Sequence, residues 1–345
     1  MSFLIENGIP TIKLDMIATL ALAILLLLLG RVIVRRVSLL NRFCIPAPVA
    51  GGLLFSILML IFHETHIMNV KMDTTFQNPF MLAFFTTIGL IASLKLVKKG
   101  GRMLIVYWIC CSFLALAQNV IGVALSEVLN INPLLGVLMG AVSMEGGHGA
   151  AGAFGPTVEA LGVYGATAVA LAAATFGLVS GGLVGGPVAK YLIGRYNLKS
   201  TESEENISVD EAEGVKEEPV TAQSFLLHAG VICVCITIGL GISGWLKSEW
   251  GIALPSYVGA MFFAVFVRNI NDHLKVVKLH NNTINLIGDV SLGIFLSMAL
   301  MTLKLWELIG LAVPMIIILL AQVLFIVLYI IFIVFRLLGK SYDAA

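Results

Sequence analysis

The sequence has few charged residues. Charged residues make up 12% of the 345 positions, whereas soluble domains carry about 25%. The formal net charge at pH 7 is +1, which provides no basic field for a phosphate backbone and argues against a nucleic-acid partner. Hydrophobic residues account for 59% of the chain. This composition predicts that the lipid bilayer, and not water, is the main solvent of the protein.

Paired cysteines and a signal peptide are lacking as well. The five cysteines form no C-x-x-C pair and have no histidine at zinc-ligand spacing, so they are predicted to be free thiols. Residues 1–13 contain Glu6 and lack the basic start and the cleavage site of a signal peptide. The first apolar run is therefore predicted to remain in the protein as a membrane helix.

Apolar runs of spanning length recur along the chain. A membrane helix needs about 20 mostly apolar residues, and nine segments are predicted to span, although the seventh is short. They are 14–34, 46–62, 80–96, 103–125, 165–193, 225–246, 255–267, 286–303 and 308–335. The sequence therefore predicts an all-α polytopic membrane protein.

Residues 132–161 are too polar and too rich in glycine to cross the bilayer as a lipid-facing helix. From Ser143 they read Ser-Met-Glu-Gly-Gly-His-Gly-Ala-Ala-Gly. Irregular backbone at membrane depth is tolerated only inside protein or beside a cavity. We predict a re-entrant hairpin, two half-helices around a loop, that enters and leaves on the same side.

The basic residues predict the orientation, because lysine and arginine accumulate in short cytoplasmic loops. With the N-terminus in the periplasm and a hairpin that does not cross, 17 of the 21 basic residues lie on the cytoplasmic side. The acidic segment 195–222 then lies in the cytoplasm, and it has no apolar run that would offset its ordering entropy. We predict that it is a disordered linker between two halves.

The two halves match each other at fixed offsets. Ile45–Val49 corresponds to 254–258 and Ser93–Leu96 to 302–305, both displaced by 209 residues, and Leu116–Gln118 corresponds to 320–322, displaced by 204. Because the first half has five spans, an odd number, the second half must be inverted, as in many secondary transporters. We predict a first repeat over 1–194 with the hairpin 132–161, and an incomplete second repeat of four spans over 223–345. A second Gly-rich hairpin and another span are expected beyond Ala345.

The glycine-rich loop is the first candidate site. The loop also contains the candidates Ser143 and Glu145, and Gly146, Gly147, Gly149 and Gly152 leave backbone N–H groups uncovered there. Together with a half-helix N-terminus these groups suit an anionic substrate, and unwound carbonyls suit sodium. A sodium site is predicted near Gly146, Gly147 and Thr87, with undetermined ligands. The alternative is a packing loop without ligand.

Other polar residues of the loop and of the apolar spans also have two interpretations, ligand binding or a purely structural role. His148 either contacts substrate or orients the backbone, and the carboxylate of Glu145 is either linked to an ion or located at the wet mouth of the site. The remaining candidates either bind ligand or join helices by hydrogen bonds: Thr86, Thr87, Gln118, Asn119, Ser297 and Gln322.

Several long motifs resemble one family of transporters. They are F-C-I-P-A-P-V-A-G-G-L at 43–53, P-F-M-L-A-F-F-T-T-I-G-L at 79–90, G-G-H-G at 146–149, A-T-F-G-L-V-S-G-G-L-V-G-G-P-V-A at 174–189, L-K-L-W-E-L at 303–308 and G-K-S-Y-D-A-A at 339–345. These residues are similar to those of the bacterial glutamate:sodium symporters. The resemblance implies sodium-coupled glutamate uptake across the bacterial inner membrane, a homodimer, an elevator-type motion and no cofactor apart from sodium. It also implies that family chains continue beyond the last motif into a second hairpin and a tenth span.

The chain departs from the family motif at two positions of the loop. Glu145 stands where the family has serine, and Ala150 where it has threonine. The substitutions remove two hydroxyl groups and leave open a second function, a proton- or sodium-coupled carrier of another small carboxylate. An enzyme or a channel is not expected, because we find no nucleophile with a base, no metal cluster and no filter-like repeat at membrane depth.

Overall fold

A computed structural model describes residues 2–6, 9–38, 40, 45–198, 220–251, 256–303 and 305–339. Much of the acidic linker, Cys44 and the last six residues are outside these ranges. The helices are α1 (Met16–Arg36), α2 (Ala47–Glu64), α3 (Gln77–Ile91), α4 (Leu94–Val128), α5 (Pro133–Val137), α6 (Gly147–Glu159), α7 (Ala166–Tyr196), α8 (Ala222–Trp250), α9 (Ser256–Leu274), α10 (Asn281–Met301), α11 (Ala312–Tyr329) and α12 (Phe335–Leu337).

The predicted helical membrane fold is confirmed. Within the described residues seven helices are long and apolar enough to span a bilayer, and they include Gly101–Val128 of α4 and the continuous run Ala312–Leu337. The other two predicted spans are helical but less complete, since α3 has only 15 residues and α9 ends in polar side chains. The predicted span 80–96 is interrupted, because α3 ends at Ile91 and α4 begins at Leu94.

A small β-sheet was not predicted. β1 (Ser2–Glu6) pairs antiparallel with β2 (Ile9–Leu14), and β2 pairs in parallel with β3 (Asn69–Met72), with Lys13 opposite Lys71. Strands of four to six residues give little periodic signal. The partner of β2 also lies more than 50 residues further along the chain, so local sequence could not indicate the pairing.

The described residues form two compact units, and each contains segments from both predicted halves. The first comprises Met1–Phe84, Cys111–Val184 and Asp289–Ile326, and the second comprises Phe85–Cys110, Gly185–Gly288 and Val327–Ala345.

In the first unit, α1 packs closely against α2. The side chain of Asp15 accepts a hydrogen bond from the Ala18 amide and caps the start of α1, as expected for an N-cap aspartate. A Cβ at Gly30 would collide with the backbone of Ala47, and one at Gly51 with the backbone of Leu26. These glycines therefore allow the two helices to approach with backbone in direct contact.

In the second unit, α8 packs against α9 in the same manner. A Cβ at Gly239 would collide with the backbone of Ala260, and one at Gly259 with the backbone of Gly239. α9 extends beyond the predicted span 255–267, as far as Leu274. Its last turns are polar but paired: Arg268 Nε lies 3.1 Å from Asp272 Oδ1, and Asp272 Oδ2 accepts from Ser93 Oγ at 2.7 Å.

Candidate functional site

The predicted hairpin region contains two helical parts around a break. The side chain of Asn132 accepts from the Leu134 amide at 2.9 Å and caps α5, which continues into a π-helical turn at Leu138–Val142. The chain then turns at Glu145 and Gly146, and α6 begins at Gly147. The two half-helices thus have the predicted order, while their entry and exit on one side of a membrane stays a prediction.

Asn119 accepts a hydrogen bond from a backbone amide that the interrupted first half-helix leaves without a helical partner. Gly140 has φ −90° and ψ −140°, which interrupts the helix. The Ala141 amide therefore donates to Asn119 Oδ1, at 3.0 Å. A Cβ at Gly140 would lie 2.7 Å from the same oxygen, so only glycine permits this approach. Asn119 accordingly positions the first half-helix.

Gln118 and Gln322 meet in the buried interior of the first unit. Gln322 Nε2 donates to the backbone oxygen of Gln118 at 2.8 Å, and both side chains are fully buried. Within the described part of the chain, three amide atoms lack a hydrogen-bond partner: Oε1 and Nε2 of Gln118, and Oε1 of Gln322. Because an unpartnered buried polar atom costs roughly 1–3 kcal/mol, such groups point to a bound water, ion or ligand.

The residues of the glycine-rich turn differ in exposure. Ser143 is buried, and its hydroxyl has no partner among the described residues, whereas Glu145 and Gly146 are exposed. Gly147 has φ +62°, a conformation that favours glycine. It opens the first turn of α6, which also contains Gly149 and in which backbone N–H groups have no intrahelical acceptor.

His148 is buried and joined to α7. Its Nε2 lies 2.9 Å from Thr175 Oγ1, and the Thr175 hydroxyl donates to the Leu171 carbonyl at 2.9 Å. Since the single hydroxyl proton goes to Leu171, His148 Nε2–H is the donor to Thr175 and Nδ1 is left as an acceptor. Sequence analysis did not single out Thr175, although it lies in the motif A-T-F-G at 174–177.

Ser297 lies on α10, which packs against the second half-helix. Gly152 faces the ring of the fully buried Phe295, with 2.6 Å between its Cβ position and the ring edge. Ser297 is also fully buried, and its hydroxyl has no partner among the described residues. The first unit thus contains unpartnered oxygens at Gln118, Ser143, Ser297 and Gln322.

Thr86 and Thr87 belong to the second unit. Both are buried, and Thr87 Oγ1 lies 2.6 Å from the Cβ position of Gly288 on α10. The role of Thr86 and Thr87 in binding substrate or ion, and of Thr87 near sodium, stays a prediction. Among the residues that the structure describes, no three His, Cys, Asp or Glu side chains form a cluster.

The first unit therefore offers two kinds of chemistry. Amide and hydroxyl oxygens suit a hard monovalent cation, which prefers oxygen ligands. The start of α6 presents N–H groups and a positive helix end, which suit a carboxylate. A broken helix with oxygen ligands for a cation and N–H donors for a carboxylate resembles the midplane sites of secondary transporters.

Comparison with known proteins gives one consistent result. A family model described as "Sodium/glutamate symporter" matches residues 12–345. The sodium/glutamate symporter of Haemophilus influenzae is 42% identical over 332 residues, which cover 94% of this chain and 81% of that protein. The symporters of Escherichia coli and Shigella flexneri are each 40% identical over 339 residues, which cover 96% of this chain and 83% of those proteins. No solved structure matches the chain.

Proposed function

The chain belongs to the sodium/glutamate symporter family, and we propose that it imports glutamate together with sodium. The resemblance inferred from the motifs is thereby confirmed, as is the expectation of a transporter and not an enzyme. The observation that carries the proposal is the identity of at least 40% to three sodium/glutamate symporters over at least 94% of the chain.

Sodium is proposed to bind beside the paired glutamines. The side-chain oxygens Oε1 of Gln118 and Gln322 are buried and have no hydrogen-bond partner, as sodium ligands would be before the ion binds. The hydroxyls of Ser143 and Ser297 are further candidates on the half-helix and on α10. Asn119 is proposed to fix the half-helix that carries Ser143, since its oxygen holds the Ala141 amide. Sodium is the only ion or cofactor that the mechanism requires.

Glutamate is proposed to bind at the start of α6. One carboxylate would accept hydrogen bonds from the N–H groups around Gly147 and Gly149, where the positive helix end favours an anion. His148 supports this arrangement through Thr175, because the bond fixes its tautomer and leaves Nδ1 as an acceptor, which we assign to the substrate ammonium. Sodium bound nearby would order the broken helix and raise the affinity for glutamate.

The inverted repeat is supported by equivalent contacts in the two units. Gly30 of α1 meets α2 at Gly51, and the residues 209 positions later, Gly239 of α8 and Ala260 of α9, also meet. Gln118 and Gln322, which are 204 positions apart, bond to each other. A pair of symmetry-related residues in contact is expected at a pseudo-two-fold axis, where transporters of this architecture bind substrate.

The family resemblance supports a proposal for the wider mechanism. We propose alternating access of the elevator type, in a homodimer of the bacterial inner membrane, with the N-terminus in the periplasm and the segment 195–222 in the cytoplasm. The distribution of basic residues supports this orientation. The domain bounds predicted from the repeat belong to the same proposal.

A second candidate function is transport of another small carboxylate, driven by sodium or protons. Glu145 favours it, because this side chain is exposed at the break where the family motif has serine. An exposed carboxylate there would repel a dianionic ligand and could itself bind a proton or a cation.

Uptake of radiolabelled glutamate by proteoliposomes containing the full-length protein tests the proposal. We expect accumulation with an inward sodium gradient and none with an equal choline gradient. Competition by dicarboxylates at several pH values separates the two candidates. Glutamate accumulation that ignores the sodium gradient would exclude the proposed function.

A further inference from the structure

A cavity of about 640 Å³ opens in the first unit, away from the glycine-rich turn. Its wall is formed by the end of α2, by β3, by the last residues of α6 and by the segment that follows α10. The cavity reaches α6 at Glu159, whereas the proposed glutamate site is at Gly147. Twelve helical residues at 1.5 Å each separate the two positions by roughly 18 Å. The cavity has the volume of a small-molecule site, for which about 300–1,000 Å³ is usual.

Side chains of opposite charge line this cavity. Lys71 projects from β3, and Glu159 lies at the end of α6. The Glu159 carboxylate is held in place, since its Oε1 accepts a hydrogen bond from the Thr167 amide at 3.0 Å. One ammonium and one carboxylate in a single cavity match the two charges of an α-amino acid, with each charge of the ligand meeting its opposite.

A stacked aromatic pair forms another part of the wall. The rings of His63 and Trp306 lie 4.1 Å apart at their centroids and 12° from parallel. His63 Nδ1 lies 3.3 Å from Asn69 Oδ1, and because an amide oxygen only accepts, Nδ1 carries the proton. The His63 ring is therefore held by Trp306 at its face and by Asn69 at its Nδ1. The stacked pair gives the cavity an aromatic surface for the methylene groups of a ligand, and the indole N–H of Trp306 would donate to a second carboxylate.

The equivalent positions of the second unit are differently arranged. His63 and Thr302 line the cavity, and the 209-residue offset relates them to Asp272 and Ser93. In the second unit Ser93 Oγ donates to Asp272 Oδ2 at 2.7 Å. Ser93 and Asp272 are thus hydrogen-bonded to each other in the second unit, whereas the corresponding Thr302 and His63 line the cavity in the first unit.

We propose that this cavity is a second, sodium-independent binding site for the amino-acid substrate, in which Lys71 binds a carboxylate and Glu159 binds the ammonium group. The inference rests on the proposed function, because it takes glutamate as the ligand. The site would lie on the periplasmic side in the predicted orientation and would raise the local concentration of substrate ahead of the hairpin site. Its affinity is weak, since both charges are exposed to solvent.

The test uses glutamate and glutarate, which has the same two carboxylates without the amino group. Binding of each to the solubilised full chain is measured by saturation-transfer NMR in sodium-free buffer, for wild type, Lys71→Gln and Glu159→Gln. We expect Lys71→Gln to weaken the binding of both ligands and Glu159→Gln to weaken the binding of glutamate alone. Each affinity should fall by about two- to fivefold, the range expected for an exposed charge pair. Both side chains are exposed, so the variants retain the fold.

Matched variants provide the controls. Lys13→Gln removes the lysine opposite Lys71 in the sheet, and Glu127→Gln removes an exposed glutamate of α4; neither residue lines the cavity. Sodium-driven uptake by the wild-type protein is measured in parallel. If uptake depends on sodium but the cavity variants bind both ligands as the controls do, the cavity proposal is wrong and the transport function stands. If sodium-free binding follows the predicted charge pattern without sodium-driven uptake, the cavity proposal stands and the transport function fails.

Discussion

Gln322→Met should separate a sodium ligand from a helix-packing residue. Methionine has a similar length and removes both the hydrogen bond to the Gln118 carbonyl and the unpartnered oxygen Oε1. Hydrogen bonds between membrane helices contribute about 0.6–2 kcal/mol. The loss is partly offset because a buried oxygen without a partner also disappears. In sodium-free buffer we therefore expect the free energy of unfolding to change by no more than about 1 kcal/mol.

The response to sodium should change more than the stability itself. A ligand at 100 times its dissociation constant stabilises the folded state by about 2.7 kcal/mol. Loss of one oxygen ligand that weakens sodium tenfold would reduce this stabilisation to about 1.4 kcal/mol. The measurement is thermal unfolding of the solubilised protein in sodium chloride and in choline chloride at the same ionic strength.

Ser126→Ala is the matched control for Gln322→Met. Ser126 is also fully buried with an unpartnered hydroxyl, but it packs against Gly136 and is outside the proposed ligand set. We expect this variant to keep the wild-type sodium response. A Gln322→Met protein that sodium stabilises as much as wild type would refute the sodium site at the paired glutamines.

Three further predictions concern the scaffold. Gly30→Ala should lower the free energy of unfolding by about 1–3 kcal/mol, because the new Cβ collides with the backbone of α2. Asp272→Asn should lower it by about 2 kcal/mol, because the Arg268 guanidinium loses its charged partner. The hydrogen bond from the Ala18 amide lowers the pKa of the Asp15 carboxyl. The cap of α1 should therefore be fully formed above the ordinary pKa of an aspartate and should weaken as the pH falls through the lowered pKa of Asp15. Hydrogen-exchange protection of the amides at the start of α1 measures this change.

Each scaffold prediction has a control and a contrary result. A Cβ at Gly241 of α8 would meet no neighbouring atom, so Gly241→Ala should leave the free energy of unfolding unchanged or slightly raised. An equal loss of stability in Gly241→Ala and Gly30→Ala would contradict the packing argument. Asp289→Asn changes an exposed carboxylate of α10 and should have no effect on unfolding. Asp15→Asn keeps a neutral cap, so the protection of the amides at the start of α1 relative to their intrinsic exchange rates should become independent of pH. A protection that still falls at low pH would argue against the Asp15 carboxylate as its cause.

Membrane helices were predictable because the bilayer imposes a local rule on composition. A run of about 20 apolar residues satisfies it without reference to the rest of the chain, and all nine predicted spans overlap helices. The polar end of α9 beyond Val267 was not predictable in this way, because Arg268 pairs with Asp272, and Asp272 also accepts a hydrogen bond from Ser93, 179 residues away.

Site residues were less predictable because the sequence shows which polar groups are in apolar spans but not what they contact. Asn119 was an open candidate until its bond to the Ala141 amide gave it a positioning role. Thr175 was missed because a threonine in a helix usually bonds to its own backbone. It does so here, and its oxygen also accepts from His148.

The sequence by itself determined the membrane class, the positions of the spans, the break at Glu145 and the family, since each depends on local composition or on motifs. Only the tertiary structure decided which buried amides meet, which of their atoms remain without partners, and that Lys71 and Glu159 share a cavity. These features depend on contacts between residues far apart in the chain. Hydropathy places a residue in a helix, but only packing determines what lies opposite its side chain.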